Sequence, residues 1–287
     1  MISIVVAAYN EEEAVRETVE EIERICAGMG VPFEIVVVDD GSTDGTAAVL
    51  SSLKVTVVCH PYNVGYGHSL KDGIASAKYE TIVITDADQT YPLDRIPDLY
   101  SRSLEGFDMV VGARTGRHYE GTFLKEALRK ILKFLAEFTA GRKIPDINSG
   151  LRLFHRETAK AVFPQLCDGF SFTTSLTLAY LMTGKFVSYV PIAYGPRSGK
   201  TKVRLLKDSL RTLQYVLQLA TYYQPLKIFF LFSGLCLVHA AFWFLIALFL
   251  GLHVGFFLGI GSMLVSLIVL CMGLLADLLK QILQKSQ

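Results

Sequence analysis

Two spacings of apolar residues alternate along the first part of the chain. Residues 2–7 (ISIVVA), 33–38 (FEIVVV), 55–59 (VTVVC) and 82–84 (IVI) are short, β-branched apolar runs. Between them the apolar residues return every three or four positions, as Ala14, Val15, Val19, Ile22 and Ile25 do within 11–26. The same helical spacing predicts helices over 43–53 and 69–78. Strands alternating with helices predict a parallel sheet, and strands that are apolar on consecutive positions predict that helices cover both faces of it.

The pattern changes character after residue 225. From 228 to 276 there is no Asp, Glu, Lys or Arg, and one straight helix of that length would reach roughly 75 Å, against a hydrocarbon core of about 30 Å. The run therefore folds back once. Gly251, Leu252 and His253 supply the break, leaving spans at about 228–250 and 254–276. A buried core hairpin is the alternative reading of the same run; its length favours a membrane hairpin. Lys202, Arg204, Lys207, Arg211 and Lys227 precede the first span, and Lys280 and Lys285 follow the second. The turn between the spans has no basic residue, so the expected topology is two spans in the cell membrane with residues 1–225 and both termini cytoplasmic. Residues 1–4 open a strand without a basic leader, so no signal peptide is expected.

Composition excludes several classes. Lys and Arg number 28 against 27 Asp and Glu, a net charge of +1, which gives no field for nucleic acid. The five cysteines (26, 59, 167, 236 and 271) form no CxxC pair and the six histidines are scattered. Neither a zinc site nor a disulfide framework is supported. Two phosphate motifs also fail. Gly199-Lys200-Thr201 has Tyr194 where a Walker loop needs its first glycine, and 65–70 (GYGHSL) ends in Leu70 where a dinucleotide fingerprint needs Gly or Ala.

The polar residues that follow the strands are informative. Asn10-Glu11 comes after the first, Asp39-Asp40 after the second, and Asp86 and Asp88 after the fourth. Ligands of parallel α/β sheets sit at the carboxyl ends of the strands. Repulsion among carboxylates gathered on one rim calls for a cation or a donor-rich ligand, and solvated loop carboxylates are the plainer reading of any one cluster alone. Asp86 and Asp88 are hard oxygen donors suited to Mg²⁺ or Mn²⁺.

AAYNE (7–11), VVVDDGSTDGT (36–46), NVGYG (63–67), DAD (86–88), GAR (112–114) and DINSGLRLF (146–154) occur in this order. Together they resemble the family 2 glycosyltransferases over about residues 1–215. More narrowly they resemble the polyprenyl-phosphate branch, with its dolichyl-phosphate mannose synthases and undecaprenyl-phosphate glycosyltransferases. The resemblance implies a GT-A catalytic domain with a Rossmann-like, mainly parallel sheet over 1–202. An interfacial helix or linker at 203–225 and a transmembrane helical hairpin at 226–287 would follow. It further implies a metal-dependent, inverting hexosyltransferase that takes a UDP- or GDP-linked sugar as donor and a polyprenyl phosphate as acceptor at the cytoplasmic membrane face.

Carried over by position, Ala7, Tyr9, Glu11, Asp39, Asp40, Gly65, Asp86 and Ala87 would bind the nucleotide sugar, with Asp86 and Asp88 on the metal. The family often has proline where Ala7 stands. Dolichyl-phosphate mannose synthases place a glutamine ligand two positions beyond the second Asp; here Thr90 stands there and Gln89 comes one position early. Gln89 is the candidate third ligand, and the identity of that ligand stays open. Arg114 and Arg129 fall where the family holds the lipid phosphate, which suits the planar fork of arginine. Arg129 has a second reading, as a headgroup contact on the basic amphipathic segment 122–139. Arg197 and Lys202, in RSGKTKV (197–203), match a basic loop over the donor diphosphate. Asp146 stands at the place of a proposed base or acceptor-positioning carboxylate; a turn cap is its other reading. The catalytic set is therefore Asp88, Arg114, Arg129 and Asp146.

Two other readings fit parts of the sequence. A processive polysaccharide synthase usually has a QxxRW acceptor motif, whereas the single tryptophan, Trp243, lies in a span. A non-catalytic nucleotide-sugar-binding scaffold has no need of Asp146. The sugar, the base, the polyprenol and the oligomeric state, a homo-oligomer included, are left open.

Overall fold

The computed structural model describes residues 1–115, 123–195 and 205–285. Seven strands form one sheet: β1 (Ile2–Ala8), β2 (Phe33–Asp39), β3 (Thr56–Cys59), β4 (Thr81–Asp86), β5 (Met109–Thr115), β6 (Arg152–His155) and β7 (Val187–Ala193). The helices in chain order are α1 (Val15–Gly28), α2 (Thr46–Ser51), α3 (Tyr66–Ser76), α4 (Ile96–Ser103), α5 (Phe123–Ala140), α6 (Arg156–Lys160), α7 (Phe172–Met182), α8 (Leu205–Tyr223), α9 (Pro225–Leu250) and α10 (His253–Lys285). The strand order is β3-β2-β1-β4-β6-β5-β7. β1 pairs in parallel with β2 and β4, as do β2 with β3 and β5 with β7. β6 alone runs antiparallel, between β4 and β5.

The reason for the apolar runs is burial. Ile2, Ile4, Val5, Val6, Val36, Val37, Val38, Ile82, Val83 and Ile84 are all fully inaccessible, as expected of central strands covered on both faces. Three expected helices differ at their starts. The helix expected from Glu11 begins at Val15, because Asn10 adopts φ 53° and residues 10–12 bond across to the 42–46 turn. That turn in turn delays α2 from 43 to Thr46, since the Asp44 carboxylate accepts from the Thr46 N–H and hydroxyl. α3 starts earlier than expected, at Tyr66, because Gly65 at φ 114° turns the chain directly into the helix.

The chain divides into two compact units, Met1–Val216 and Leu217–Gln287. In the second, Pro225–Leu250 and His253–Ile282 are long and apolar enough to cross a membrane, with mean hydropathies of 2.1 and 2.4. Gly251, in the left-handed region at φ 64°, ends α9. Polar side chains on these two helices are paired with each other: Ser233 with Ser266 at 2.8 Å, His239 with Ser262 at 2.8 Å, and the Trp243 indole N–H donating to His239 at 3.0 Å. Such mutual satisfaction is what an apolar surrounding demands.

Candidate functional site

Parallel register delivers the acidic clusters to one edge. Ala8 lies beside Asp39 and Ala7 beside Asp86, so the residues that follow β1, β2 and β4 emerge together. The antiparallel β6 brings the opposite end of its strand to the same place. Arg152 pairs with Ile84, so the segment 146–151 meets the end of β4. A Cβ on Gly150 would lie 3.0 and 3.1 Å from the two Asp86 oxygens, so any larger residue there would press on that carboxylate.

The loops after β1 and β2 form one laced surface. The Asn10 side-chain oxygen accepts from the Thr43 N–H at 2.8 Å, and the Glu11 N–H donates to Thr46 at 2.9 Å. Gly45 N–H donates to Glu12 at 2.7 Å. Asp39 is buried and accepts from the Ser42 N–H at 3.0 Å. Asp40, also buried, accepts from Val64 N–H at 2.9 Å and Gly65 N–H at 3.0 Å, and meets His60 at 2.9 Å. Its carboxylate thus shapes the 63–65 loop.

At the end of β4, Asp86 accepts a 2.7 Å hydrogen bond from the Tyr66 hydroxyl. Asp88 is 5% exposed and accepts from the Thr90 hydroxyl at 2.6 Å. Ala87 is buried, and its carbonyl accepts from Thr18. Gln89 takes the left-handed conformation at φ 58°, and its enclosed amide nitrogen has no partner among the described residues. Among the described residues no three His, Cys, Asp or Glu side chains converge as a metal cage. The donor set fits a hard divalent ion that takes its remaining oxygens from a ligand and water, as Mg²⁺ commonly does.

On the β5 side, Arg114 and Asp146 form a two-pronged pair at 2.7 and 2.9 Å, each side chain 11% exposed. The Arg114 backbone N–H and the Asn148 N–H add bonds at 3.1 and 3.0 Å. Burial alone would raise the Asp146 pKa, but the bonds and charge of Arg114 with the two N–H donors outweigh it and hold the carboxyl below its ordinary range. The Arg114 guanidinium also lies 5.3 Å from the centre of the Tyr194 ring. Arg114 and Asp146 line a cavity of about 170 Å³ whose other walls include Leu132, Ala136, Ile144 and Val216.

Sequence reasoning missed Arg152. It is completely buried beneath this segment and donates to Ser149 O, Thr173 O and the Thr177 hydroxyl, so it pins the 146–150 turn to α7. An arginine inside an apolar strand, LRLF, was the available signal. Arg152→Lys is expected to cost about 2–4 kcal/mol, because one ammonium cannot reach all three acceptors. Thermal unfolding should show this as a Tm lower by roughly 5–15 °C; an unchanged Tm would contradict the pinning role.

Of the sequence candidates, Ala7, Tyr9, Glu11, Asp39, Asp40, Gly65, Asp86, Ala87, Asp88 and Gln89 gather at the ends of β1, β2 and β4. Arg114 and Asp146 stand together beyond them. Arg129 lies on α5 with its side chain outside the described residues, and Arg197 and Lys202 lie outside them altogether. Tyr66, Gly150, Arg152 and Tyr91, whose hydroxyl accepts from the Gly150 N–H at 2.6 Å, were not foreseen.

This sheet with its helices has the GT-A class of fold. It is similar to glucosyl-3-phosphoglycerate synthase from Mycobacterium tuberculosis, solved in complex with Mn²⁺, UDP and glucosyl-3-phosphoglycerate, at a TM-score of 0.61 and 21% identity over 77% of this chain and 80% of that one. Residues 3–163 match the family described as Glycosyl transferase family 2, and the chain belongs to that family. A dolichyl-phosphate hexose transferase of Haloferax volcanii is 29% identical over 70% of this chain and 86% of its own length. An undecaprenyl-phosphate 4-deoxy-4-formamido-L-arabinose transferase of Enterobacter sp. strain 638 is 29% identical over 56% of this chain. The match spans 50% of that relative.

Proposed function

We propose that the chain transfers a sugar from a nucleotide-sugar donor to a polyprenyl phosphate, with inversion at the sugar carbon, at the cytoplasmic face of a membrane. The observation that carries this reading is the Arg114–Asp146 pair on the wall of a mostly apolar cavity. An acceptor with a phosphate at one end and an isoprenoid chain at the other matches both halves of that cavity. The two relatives named for dolichyl and undecaprenyl phosphate support it.

In this reading Tyr9, Glu11 and Asp39 hold the base and ribose, while Asp40 keeps the 63–65 loop in place beside them. Asp86 and Asp88, with Gln89 as the candidate third ligand, would hold Mg²⁺ or Mn²⁺. When bound, the ion supplies charge neutralisation for the departing nucleoside diphosphate. Gln89 presents an unpartnered amide donor on the same turn, which suits an oxygen of the donor. Arg114 takes the acceptor phosphate, and Asp146 sets the direction of its guanidinium. The acceptor needs no strong base, since a phosphate monoester with a second pKa near 6 is already largely dianionic at neutral pH. Arg129, Arg197 and Lys202 are assigned to the acceptor and donor phosphates on sequence grounds. The helical hairpin at 226–287 anchors the enzyme where its lipid acceptor resides.

The decisive experiment incubates the purified chain in detergent with a panel of UDP- and GDP-sugars, Mg²⁺ and a short polyprenyl phosphate, with lipid products identified by mass spectrometry. A polyprenyl-phosphate monosaccharide is expected, and its absence across the panel would sink the reading. Removing residues 226–287 should lower transfer to a long-chain acceptor at least about tenfold more than transfer to a short soluble analogue, because the hairpin acts by proximity to the lipid. Equal losses with both acceptors would show that the hairpin serves the fold instead.

A further inference from the structure

Asp86 is the last residue of β4, and its orientation depends on an element that no ligand assignment above includes. We infer that Tyr66 is the positioning residue for Asp86, fixing that carboxylate for a divalent ion through a neutral hydrogen bond; this rests on the metal reading of Asp86 and Asp88. The phenol donates to Asp86 Oδ1 at 2.7 Å. A carboxylate that must coordinate a cation is best oriented by a neutral donor, since a cationic partner would compete for its charge. Asp88 follows the same pattern, with the Thr90 hydroxyl as its neutral donor.

Tyr66 is itself held at both ends. Gly65, at φ 114°, places it at the first position of α3. Its ring stacks on Phe170 with centroids 5.9 Å apart and planes at 18°. Phe170 is in turn fixed by its neighbours: Lys71 donates to Leu166 O at 2.8 Å and to Asp168 at 2.7 Å, and the Ser171 and Thr212 hydroxyls meet at 2.7 Å. Tyr66 as a whole is half-buried. A phenol keeps its proton at neutral pH, so Tyr66 donates to Asp86 as a neutral group. Outer partners of this kind typically change metal affinity about 10–100-fold when removed.

Tyr66→Phe deletes the hydroxyl and keeps the ring, so the stack on Phe170 survives. The test titrates the full chain in detergent with MnCl₂, reading free Mn²⁺ by electron paramagnetic resonance, with saturating UDP and separately with saturating GDP. Wild type should bind the ion with at least one of the two nucleotides, and Asp86→Asn should weaken it strongly. Tyr66→Phe should weaken Mn²⁺ binding about 10–100-fold while nucleotide affinity in chelator stays at the wild-type value. In the Asp86→Asn background the same change should have no further effect, because Tyr66 acts through Asp86. An Mn²⁺ affinity of Tyr66→Phe equal to wild type overturns the inference and leaves the metal reading standing. An equal loss with and without Asp86 also overturns it, since Tyr66 would then act on the fold. If wild type binds no Mn²⁺ with either nucleotide, or Asp86→Asn binds it as well as wild type, the metal reading fails and this inference with it.

Discussion

Asp88→Asn is expected to fold normally and to lose at least about a hundredfold in turnover, on the order of 3 kcal/mol in the barrier. The two halves of this expectation come from the two roles of one side chain. An asparagine carbonyl can still accept from the Thr90 hydroxyl and N–H, which Asp88 receives at 2.6 and 3.3 Å, so the turn after β4 keeps its shape. The amide cannot replace the negative charge. A neutral oxygen is a much poorer partner for a hard cation than a carboxylate, and the departing diphosphate loses the counter-charge held beside it. Because the defect lies in holding the ion, raising Mg²⁺ or Mn²⁺ should recover part of the rate. Far-UV circular dichroism and turnover measured across a metal titration check both halves. Full wild-type turnover in excess chelator would mean that these carboxylates serve something other than a cation.

The contrast between strands explains what could be read in advance. β1, β2 and β4 are local apolar runs with both faces covered, so composition alone locates them, and parallel pairing then brings Asn10, Asp39 and Asp86 to one edge. The start of α1 was misjudged because side chains of distant residues set it. Asn10 and Glu11 bond to Ser42, Thr43 and Thr46, and such contacts compete with the intrinsic preference of a segment for helix. β6 was legible only as a motif. The four residues Arg152–His155 have no periodicity to identify them, and their antiparallel direction depends on pairing with Thr81–Asp86 and Met109–Thr115. That direction is what brings Gly150 against Asp86 and leaves Asp146 in reach of Arg114. Tyr66 and Arg152 escaped for a related reason: a tyrosine in a glycine-rich turn and an arginine in a strand gain meaning only from what lies opposite them.

Asp146→Asn is expected to slow transfer about a hundredfold or more at every pH, with a profile parallel to that of wild type. The carboxylate accepts both prongs of Arg114 and two backbone N–H groups. An amide offers one acceptor oxygen, and its NH₂ would face the guanidinium, so Arg114 loses its fixed direction. Positioning of two reactants can be worth several kcal/mol by itself, so a large loss needs no missing proton transfer. The depressed Asp146 pKa points the same way, because a carboxylate held below its ordinary range is a weaker proton acceptor. It also fixes a stability signature. A pKa lowered on folding contributes stability that is fully present above the unfolded carboxylate value of about 3.9 and is lost as pH falls through the folded value. Wild type and Asp146→Asn should therefore differ in Tm at neutral pH and draw together below about pH 4. The rate profile discriminates between the two roles. If the defect of the asparagine variant disappeared at high pH, where the acceptor phosphate is fully deprotonated, Asp146 would be acting as a base; a constant ratio of rates across that range is what a residue that only aims Arg114 must give.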